Sequence, residues 1–209
     1  MTSARTRRRL VDQVRALGIS SKDLLKVLEG LPRHVFVDEA LASRAYENTA
    51  LPIGHGQTIS QPYTVALMTQ TLLDRPRARI LEIGTGCGYQ TAVLASLCEH
   101  VVSVERIQAL HRTARNRCYD LGFRNIVFRH GDGFSGLNSY APYNGILAAA
   151  VSRDVPMELI DQLAPNGRLI MPVGSGDTQV LTVIDRKGNN ICQQQLESVR
   201  FVPRLAGLS

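Results

Sequence analysis

Arg79-Ile80-Leu81-Glu82-Ile83-Gly84-Thr85-Gly86-Cys87-Gly88 is the stretch whose reading decides the fold. Its first five residues form a short apolar run that reads as a strand. Glycines at 84, 86 and 88 then let the backbone turn tightly and approach a ligand closely. A helical pattern from Tyr89 to Leu97 follows directly. Strand, glycine turn and helix in that order build the ligand crevice of an open α/β sheet, which lies outside the carboxyl ends of the strands.

Downstream, short apolar runs alternate with helical ones. Val101-Val102-Ser103-Val104-Glu105, Ile126-Val127-Phe128, Gly145-Ile146-Leu147-Ala148 and Leu169-Ile170-Met171-Pro172-Val173 read as strands. Ile107–Tyr119 and Met157–Leu163 read as helices, so a parallel sheet with helical crossovers is expected. Val180–Ile184 and Val199–Val202 have no helix between them, only the turn signal Lys187-Gly188-Asn189, which predicts antiparallel strands at that edge.

Upstream the pattern is helical. Leu10, Val14 and Leu17 recur at helical spacing and stop at Gly18. Ser20 or Ser21 can cap a second helix, whose Leu24, Leu25, Val27 and Leu28 end at Gly30, before Pro32. Asn48 to Gln61, with Pro52, Gly54 and Gly56, reads as a loop. Ser60-Gln61-Pro62 reads as an N-cap with proline in the first turn, opening a helix on Val65, Met68 and Leu72. One domain over 1–209 is expected: a helical extension and substrate loop over 1–77, then a cofactor-binding α/β core with C-terminal edge strands over 78–209.

Composition narrows the class. The 209 residues are 44% hydrophobic and 20% charged, as in an ordinary globular protein. No apolar run approaches the ~20 residues of a membrane span, and no signal peptide opens the chain. Cys87, Cys98, Cys118 and Cys192 form no C-x-x-C pair, which speaks against a metal site or a disulfide framework and for a cytoplasmic protein. The net charge of +6 gathers in Arg5, Arg7, Arg8, Arg9 and Arg15, and again around Arg112, Arg115, Arg117, Arg124 and Arg129. Aromatics do not interleave with these arginines, so no stacking platform for nucleic acid is expected and solvated helix faces account for them.

Two acids extend the glycine loop into a binding pattern. Glu105 ends the second strand, about 20 residues past the loop, where an acid can accept hydrogen bonds from both ribose hydroxyls. Asp132, between Gly131 and Gly133, could accept from an adenine amino group, or mark a plain turn. Together they point to an adenosine-bearing ligand without choosing between S-adenosylmethionine and NAD. Two details lean away from NAD. Tyr89 stands where G-x-G-x-x-G needs its third glycine, and Glu82 sets an acid before the loop, which suits a cationic ligand better than a pyrophosphate.

From about Arg9 onward the chain resembles the protein-L-isoaspartate O-methyltransferase family. Arg33-His34-Val35-Phe36-Val37, Leu51 to Pro62, Leu81 to Gly86, Gly88-Tyr89-Gln90-Thr91-Ala92, Ser103-Val104-Glu105-Arg106, Pro172-Val173-Gly174 and Phe201-Val202-Pro203 carry the resemblance. The run Gly56-Gln57-Thr58-Ile59-Ser60-Gln61-Pro62 is its most particular part. The resemblance implies a Rossmann-like class I methyltransferase fold, with a mostly parallel central sheet, antiparallel C-terminal edge strands and an N-terminal helical extension. It implies S-adenosyl-L-methionine as cofactor and methylation of the free carboxylate of L-isoaspartyl residues in damaged proteins, which starts repair through a succinimide.

Residue by residue, it implies Ser60 as the active-site residue, with Thr58, Ile59, Gln61, His55 and Val202 toward the substrate. Glu82, Gly84, Thr85, Gly86, Gly88, Glu105, Arg106, Asp132 and Gly133 fall on the cofactor side. Neither a metal nor a membrane is expected, and the enzyme is expected to act as a monomer. The chain departs from the family at Asn144, where Asp is usual, and at Ala149-Ala150-Val151, where a Thr-Ala-Ala run is usual; these positions either touch the cofactor or support packing. Ser60 reads locally as a helix cap and through the resemblance as a group that orients the substrate, and the two roles are compatible. Methylation of RNA or a small molecule, or a binding protein that holds the cofactor without turnover, are the competing readings.

Overall fold

The computed structural model describes residues 4–74, 77–188, 190–203 and 207–208. The strand that opens the glycine loop is β3 (Arg79–Ile83), counting from the N-terminus after β1 (Leu51–Gly54) and β2 (Gln57–Ile59). It pairs in parallel with β4 (His100–Glu105) on one side and β6 (Tyr143–Ala148) on the other. β5 (Ile126–His130) continues outward from β4, and β7 (Leu163–Ser175) from β6. β8 (Thr178–Lys187) and β9 (Asn190–Ser198) close that side antiparallel, giving seven strands in the order β5-β4-β3-β6-β7-β8-β9. The chain leaves β3 in one direction through β4 and β5 and returns to β6 on its other flank. That reversal opens a crevice at the carboxyl ends of β3 and β6, where this class of sheet binds ligands.

Helices cover both faces, as the central strands require: Ile80, Leu81, Val101, Val102, Ile146 and Leu147 are all buried. On one face α1 (Ala4–Ala16), α2 (Lys22–Gly30), α4 (Tyr89–Ala95) and α5 (Gln108–Asp120) share a core through Leu10, Val14, Leu24, Leu28, Ala92 and Cys118. On the other, α6 (Met157–Asp161) sets Leu159 and Ile160 against Val102, Val104 and Ile146. Gly18 ends α1's segment with φ +103, and Ser21 caps α2, its hydroxyl accepting from the Leu24 amide at 3.4 Å.

Three expectations are corrected, and the choice left open at Asn144 falls to packing. Asn48 to Gln61 is not all loop, because β1 and β2 form a hairpin whose His55-Gly56 turn has φ of +54 and +68. Two positive φ values make the tight turn that suits strand twist, and Pro52 and the flanking glycines mask the strands in the sequence. Ser60 does not cap α3 (Pro62–Leu72). Gln61 occupies the cap position without a side-chain bond, and Asn48 Oδ1 accepts from the Tyr63 amide at 2.9 Å instead. Val199–Val202 is not a strand; the edge strand is β9, whose run of glutamines lacks apolar alternation and is held by its ladder to β8. Gly188, at φ +62, turns the chain between β8 and β9, while Asn189 of that turn signal lies outside the described residues. Finally, Asn144 sits at the start of β6, away from the crevice, where its Oδ1 accepts from the Arg79 amide at 2.9 Å. Its place is in strand packing.

Candidate functional site

A cavity of about 960 Å³ opens at the carboxyl ends of β3, β4 and β6. The glycine loop forms its floor. Gly84, at φ +91, and Thr85 both donate from their amides to the Val104 carbonyl, at 2.9 and 3.3 Å, so the loop is pinned to the neighbouring strand. Glu105, buried at the end of β4, ties the loop to the next crossover. Its Oε2 accepts from the Gly86 amide at 2.8 Å and its Oε1 from the Ile107 amide at 2.9 Å. Each oxygen keeps a further lone pair for a ligand hydroxyl. Asp132 lies further along the wall. Its Oδ1 takes the Phe134 amide and its Oδ2 the Gly207 amide, at 2.8 and 2.7 Å. Gly133 packs closely on β3, since a Cβ there would come within 2.7 Å of the Ile83 Cγ2 and force that side chain to shift.

The other wall comes from the N-terminal segment and the chain after β9. Thr58, Ile59, Ser60 and Gln61 line it, facing Val202 with its neighbours Phe201 and Pro203. That C-terminal segment is anchored without being a strand. The Val202 carbonyl accepts from the Val151 amide at 2.9 Å, and the Gln179 side chain bonds both the amide and the carbonyl of Phe201. Ala149 and Ala150 line the cavity beside Gly84, so this part of the departing run does face the site.

Of the predicted residues, Thr58, Ile59, Ser60, Gln61, Val202, Gly84, Thr85, Gly86, Glu105, Arg106, Asp132 and Gly133 meet at this cavity. Three do not line it. His55 is exposed at the tip of the β1–β2 turn. Gly88, at φ +92, lets α4 begin against α5, where a Cβ would stand 3.1 Å from Ala114 Cβ and 3.3 Å from Cys118 Sγ. Glu82 is wholly buried beneath the loop. Its Oε2 accepts from the Thr91 hydroxyl at 2.5 Å and the Ser103 hydroxyl at 2.6 Å, and Ser103 in turn meets the Thr85 hydroxyl at 2.5 Å. Burial pushes its carboxyl up to about 8, the nearby Glu105 charge acting the same way against those two hydroxyls.

Sequence reasoning missed Tyr63, Phe134 and Glu197. Phe134 follows the Asp132-Gly133 turn and lines the cavity, and an aromatic directly after an acid-glycine turn is a readable signal. Tyr63 donates its hydroxyl to Glu197 Oε2 at 3.0 Å, joining α3 to β9 across the rim. No local pattern could have paired residues that far apart in the chain.

Among the described lining residues there is no histidine and no lysine, and burial pushes the Cys87 thiol up, away from thiolate. A family model described as protein-L-isoaspartate(D-aspartate) O-methyltransferase matches residues 5–208. The chain belongs to the protein-L-isoaspartate O-methyltransferase family.

Curated members bear this out. Protein-L-isoaspartate O-methyltransferase of Pseudomonas paraeruginosa is 57% identical over 208 residues, covering 99% of both chains. That of Pseudomonas syringae pv. tomato is 56% identical with the same coverage. A solved protein-L-isoaspartate O-methyltransferase superposes with a TM-score of 0.88 at 28% identity, covering 97% of this chain and 67% of that one. A putative family member from Plasmodium falciparum, solved in complex with S-adenosyl-L-homocysteine, superposes with a TM-score of 0.82 at 27% identity, covering 95% and 98%. The mostly parallel sheet with antiparallel edge strands and N-terminal helices is thus the family's fold as well as the fold expected from the sequence. Among the described residues, no helix is long and apolar enough to cross a membrane and no cluster of three or more His, Cys, Asp or Glu could hold a metal.

Proposed function

We propose that this chain methylates the free carboxylate of L-isoaspartyl residues in damaged proteins, using S-adenosyl-L-methionine, so that the ester can close to a succinimide and reopen. The observation that carries this reading is a cavity with two chemically distinct halves in a member of this family. One half is a glycine loop with buried or turn-held acids, and the other is the Thr58-Ile59-Ser60-Gln61 wall without any general base. The residues fit the cofactor. The glycine backbone is open to close approach, and Glu105 and Asp132 retain acceptor capacity for ribose hydroxyls and an adenine amino group. S-adenosylmethionine supplies a methyl group on a positively charged sulfur.

The chain's own contribution is alignment and shelter. A carboxylate with a pKa near 4 is ionised at neutral pH and needs no proton removed. Ser60 is assigned to orient it by hydrogen bonding, with Thr58, Ile59 and Gln61 beside it and Val202 covering the substrate backbone. Ser60 is free for this work, because Asn48 and not Ser60 caps α3. Gly84, Thr85, Gly86, Arg106, Asp132 and Gly133 are assigned to the cofactor, and Glu82 and Gly88 to the support of that loop from beneath. His55, at an exposed turn tip, is not retained. We read the chain as one domain acting as a monomer, and we place it in the cytoplasm, a reading that its free cysteines, three of the four buried, support.

The test is transfer of labelled methyl to paired peptides, one holding isoaspartate and one ordinary aspartate. Base-labile label on the isoaspartyl peptide alone is the expected result. Label on neither, with S-adenosylhomocysteine binding intact, would overturn the reading.

A further inference from the structure

Arg33 is the largest fully buried side chain of the protein, with no exposed surface. It lies in a short 3-10 turn (Arg33–Phe36) behind the Ser60 wall, outside the cavity itself. Its Nε donates to the Ala45 carbonyl and its Nη2 to the Ser60 carbonyl, both at 2.8 Å. The guanidinium lies 4.7 Å from the centroid of the Tyr89 ring, and Tyr89 lines the cavity. Nη1 has no hydrogen-bond partner, and among the described residues no carboxylate forms an ion pair with the group. A buried charge left without a counter-ion costs several kcal/mol unless something offsets it. Burial lowers the pKa of this guanidinium, but an arginine side chain remains charged throughout the accessible range.

The geometry gives that charge a use. A trans peptide unit is planar, with its carbonyl and its N–H pointing in opposite directions. With the Ser60 carbonyl held toward Arg33, the N–H of the same unit, on Gln61, points away from Arg33, and both Ser60 and Gln61 line the cavity. Gln61 is also the residue that opens α3, whose N-terminal end carries the positive end of the helix dipole. The opposite, cofactor half presents the acids Glu105 and Asp132, while among the described residues the fully buried cation behind the Ser60 wall is Arg33.

We infer that Arg33 is the positioning residue of a substrate-carboxylate receptor: holding the Ser60 carbonyl from behind, it aims the Gln61 N–H and the Ser60 hydroxyl into the cavity and sets an uncompensated positive charge behind the bound carboxylate. This rests on the isoaspartyl reading of the site. It assigns to Arg33 the recognition of the substrate's charge, as distinct from its shape.

The test compares an isoaspartyl peptide with the same peptide carrying the neutral amide in place of that carboxylate. Their dissociation constants are measured by calorimetry on protein loaded with S-adenosylhomocysteine. Arg33→Gln is expected to lower the preference for carboxylate over amide by about tenfold or more, the range of a charge-assisted bond, with S-adenosylhomocysteine affinity unchanged. Arg33→Lys keeps the charge but cannot span both carbonyls, and is expected to fall between the wild type and Arg33→Gln. A purely structural arginine would weaken both peptides alike, and that result, or an unchanged preference, overturns the inference. Should Arg33→Gln fail to fold, a wild-type preference in Arg33→Lys overturns it equally. If the wild type itself does not methylate the isoaspartyl peptide, the proposed function has failed and not this inference alone.

Discussion

Replacing Glu82 with glutamine isolates the titration of one buried carboxyl. Glu82 has no exposed surface, and its carboxyl is raised from an ordinary 4.5 to about 8. In the unfolded chain it ionises from pH 4.5 upward; in the folded protein it holds its proton until near 8. Between those values the native state binds a proton that the unfolded state has released, so stability is full below pH 4.5 and falls as pH rises. The slope of roughly 1.4 kcal/mol per pH unit makes the loss on the order of 4 kcal/mol between pH 5 and 8. Glu82→Gln removes this slope while keeping the shape. Its amide oxygen can take the bonds that Oε2 accepts from Thr91 and Ser103, and its NH2 would fall where Oε1 is buried without a partner.

The assay is urea unfolding of wild type and Glu82→Gln, followed by circular dichroism with reductant present, at steps from pH 5.5 to 8.5. Subtracting the two curves cancels the other titrating groups. Cys98 and Cys118, pushed up to about 12, stay protonated across this window. The wild type is expected to lose stability relative to the variant as pH rises, levelling off above 8. A difference that does not change with pH, or that grows in favour of the wild type, would refute the assignment of a protonated acid beneath the loop.

Other perturbations separate structure from chemistry. Asn48→Ala removes the cap from the Tyr63 amide and is expected to cost about 1 kcal/mol in urea unfolding. Ser60→Ala should leave stability within about 0.5 kcal/mol while lowering kcat/KM for an isoaspartyl peptide at least about tenfold, as loss of an orienting bond does; a stability loss equal to that of Asn48→Ala would return the cap to Ser60. Gly88→Ala combines a side chain at φ +92 with contacts at 3.1 and 3.3 Å to α5, and about 2–4 kcal/mol of destabilisation is expected from strain and overpacking. Glu105→Gln faces an amide NH2 toward one of two backbone donors and should weaken S-adenosylhomocysteine binding about tenfold or more, read by calorimetry; unchanged affinity would remove Glu105 from the cofactor's contacts.

The sequence was most legible where structure is local. Arg79 to Gly88 shows its strand, turn and helix because β3, the positive-φ glycines and α4 are consecutive and each follows from its own residues. Ser60's true setting was not legible. Whether it caps α3 depends on Asn48, whose side chain reaches the Tyr63 amide across a hairpin. β9 was hidden because Gln193-Gln194-Gln195 presents no apolar face, and its pairing comes from the β8 ladder. Val199–Val202 looks like a strand because it is apolar, yet its side chains serve the cavity rim and its backbone bonds go to Gln179 and Val151.

Glu82 and Arg33 share a further property, which explains why neither role could be read from a motif. Each is an ionisable group buried behind a cavity wall that it does not itself line, and each acts through the backbone or hydroxyls of a residue that does. Glu82 reaches the cofactor half through Ser103 and Thr85, and Arg33 reaches the substrate half through the Ser60 carbonyl. The two supports lie behind opposite halves, and their charge states match what each half receives. Behind the loop, an acid that holds its proton until about pH 8 adds little negative charge to that already supplied by Glu105 and Asp132. Behind the Ser60 wall, a permanent cation meets a substrate that presents a free carboxylate. A site built this way distinguishes isoaspartate from an uncharged side chain before any bond changes, because the wall carries charge of the complementary sign where water cannot screen it.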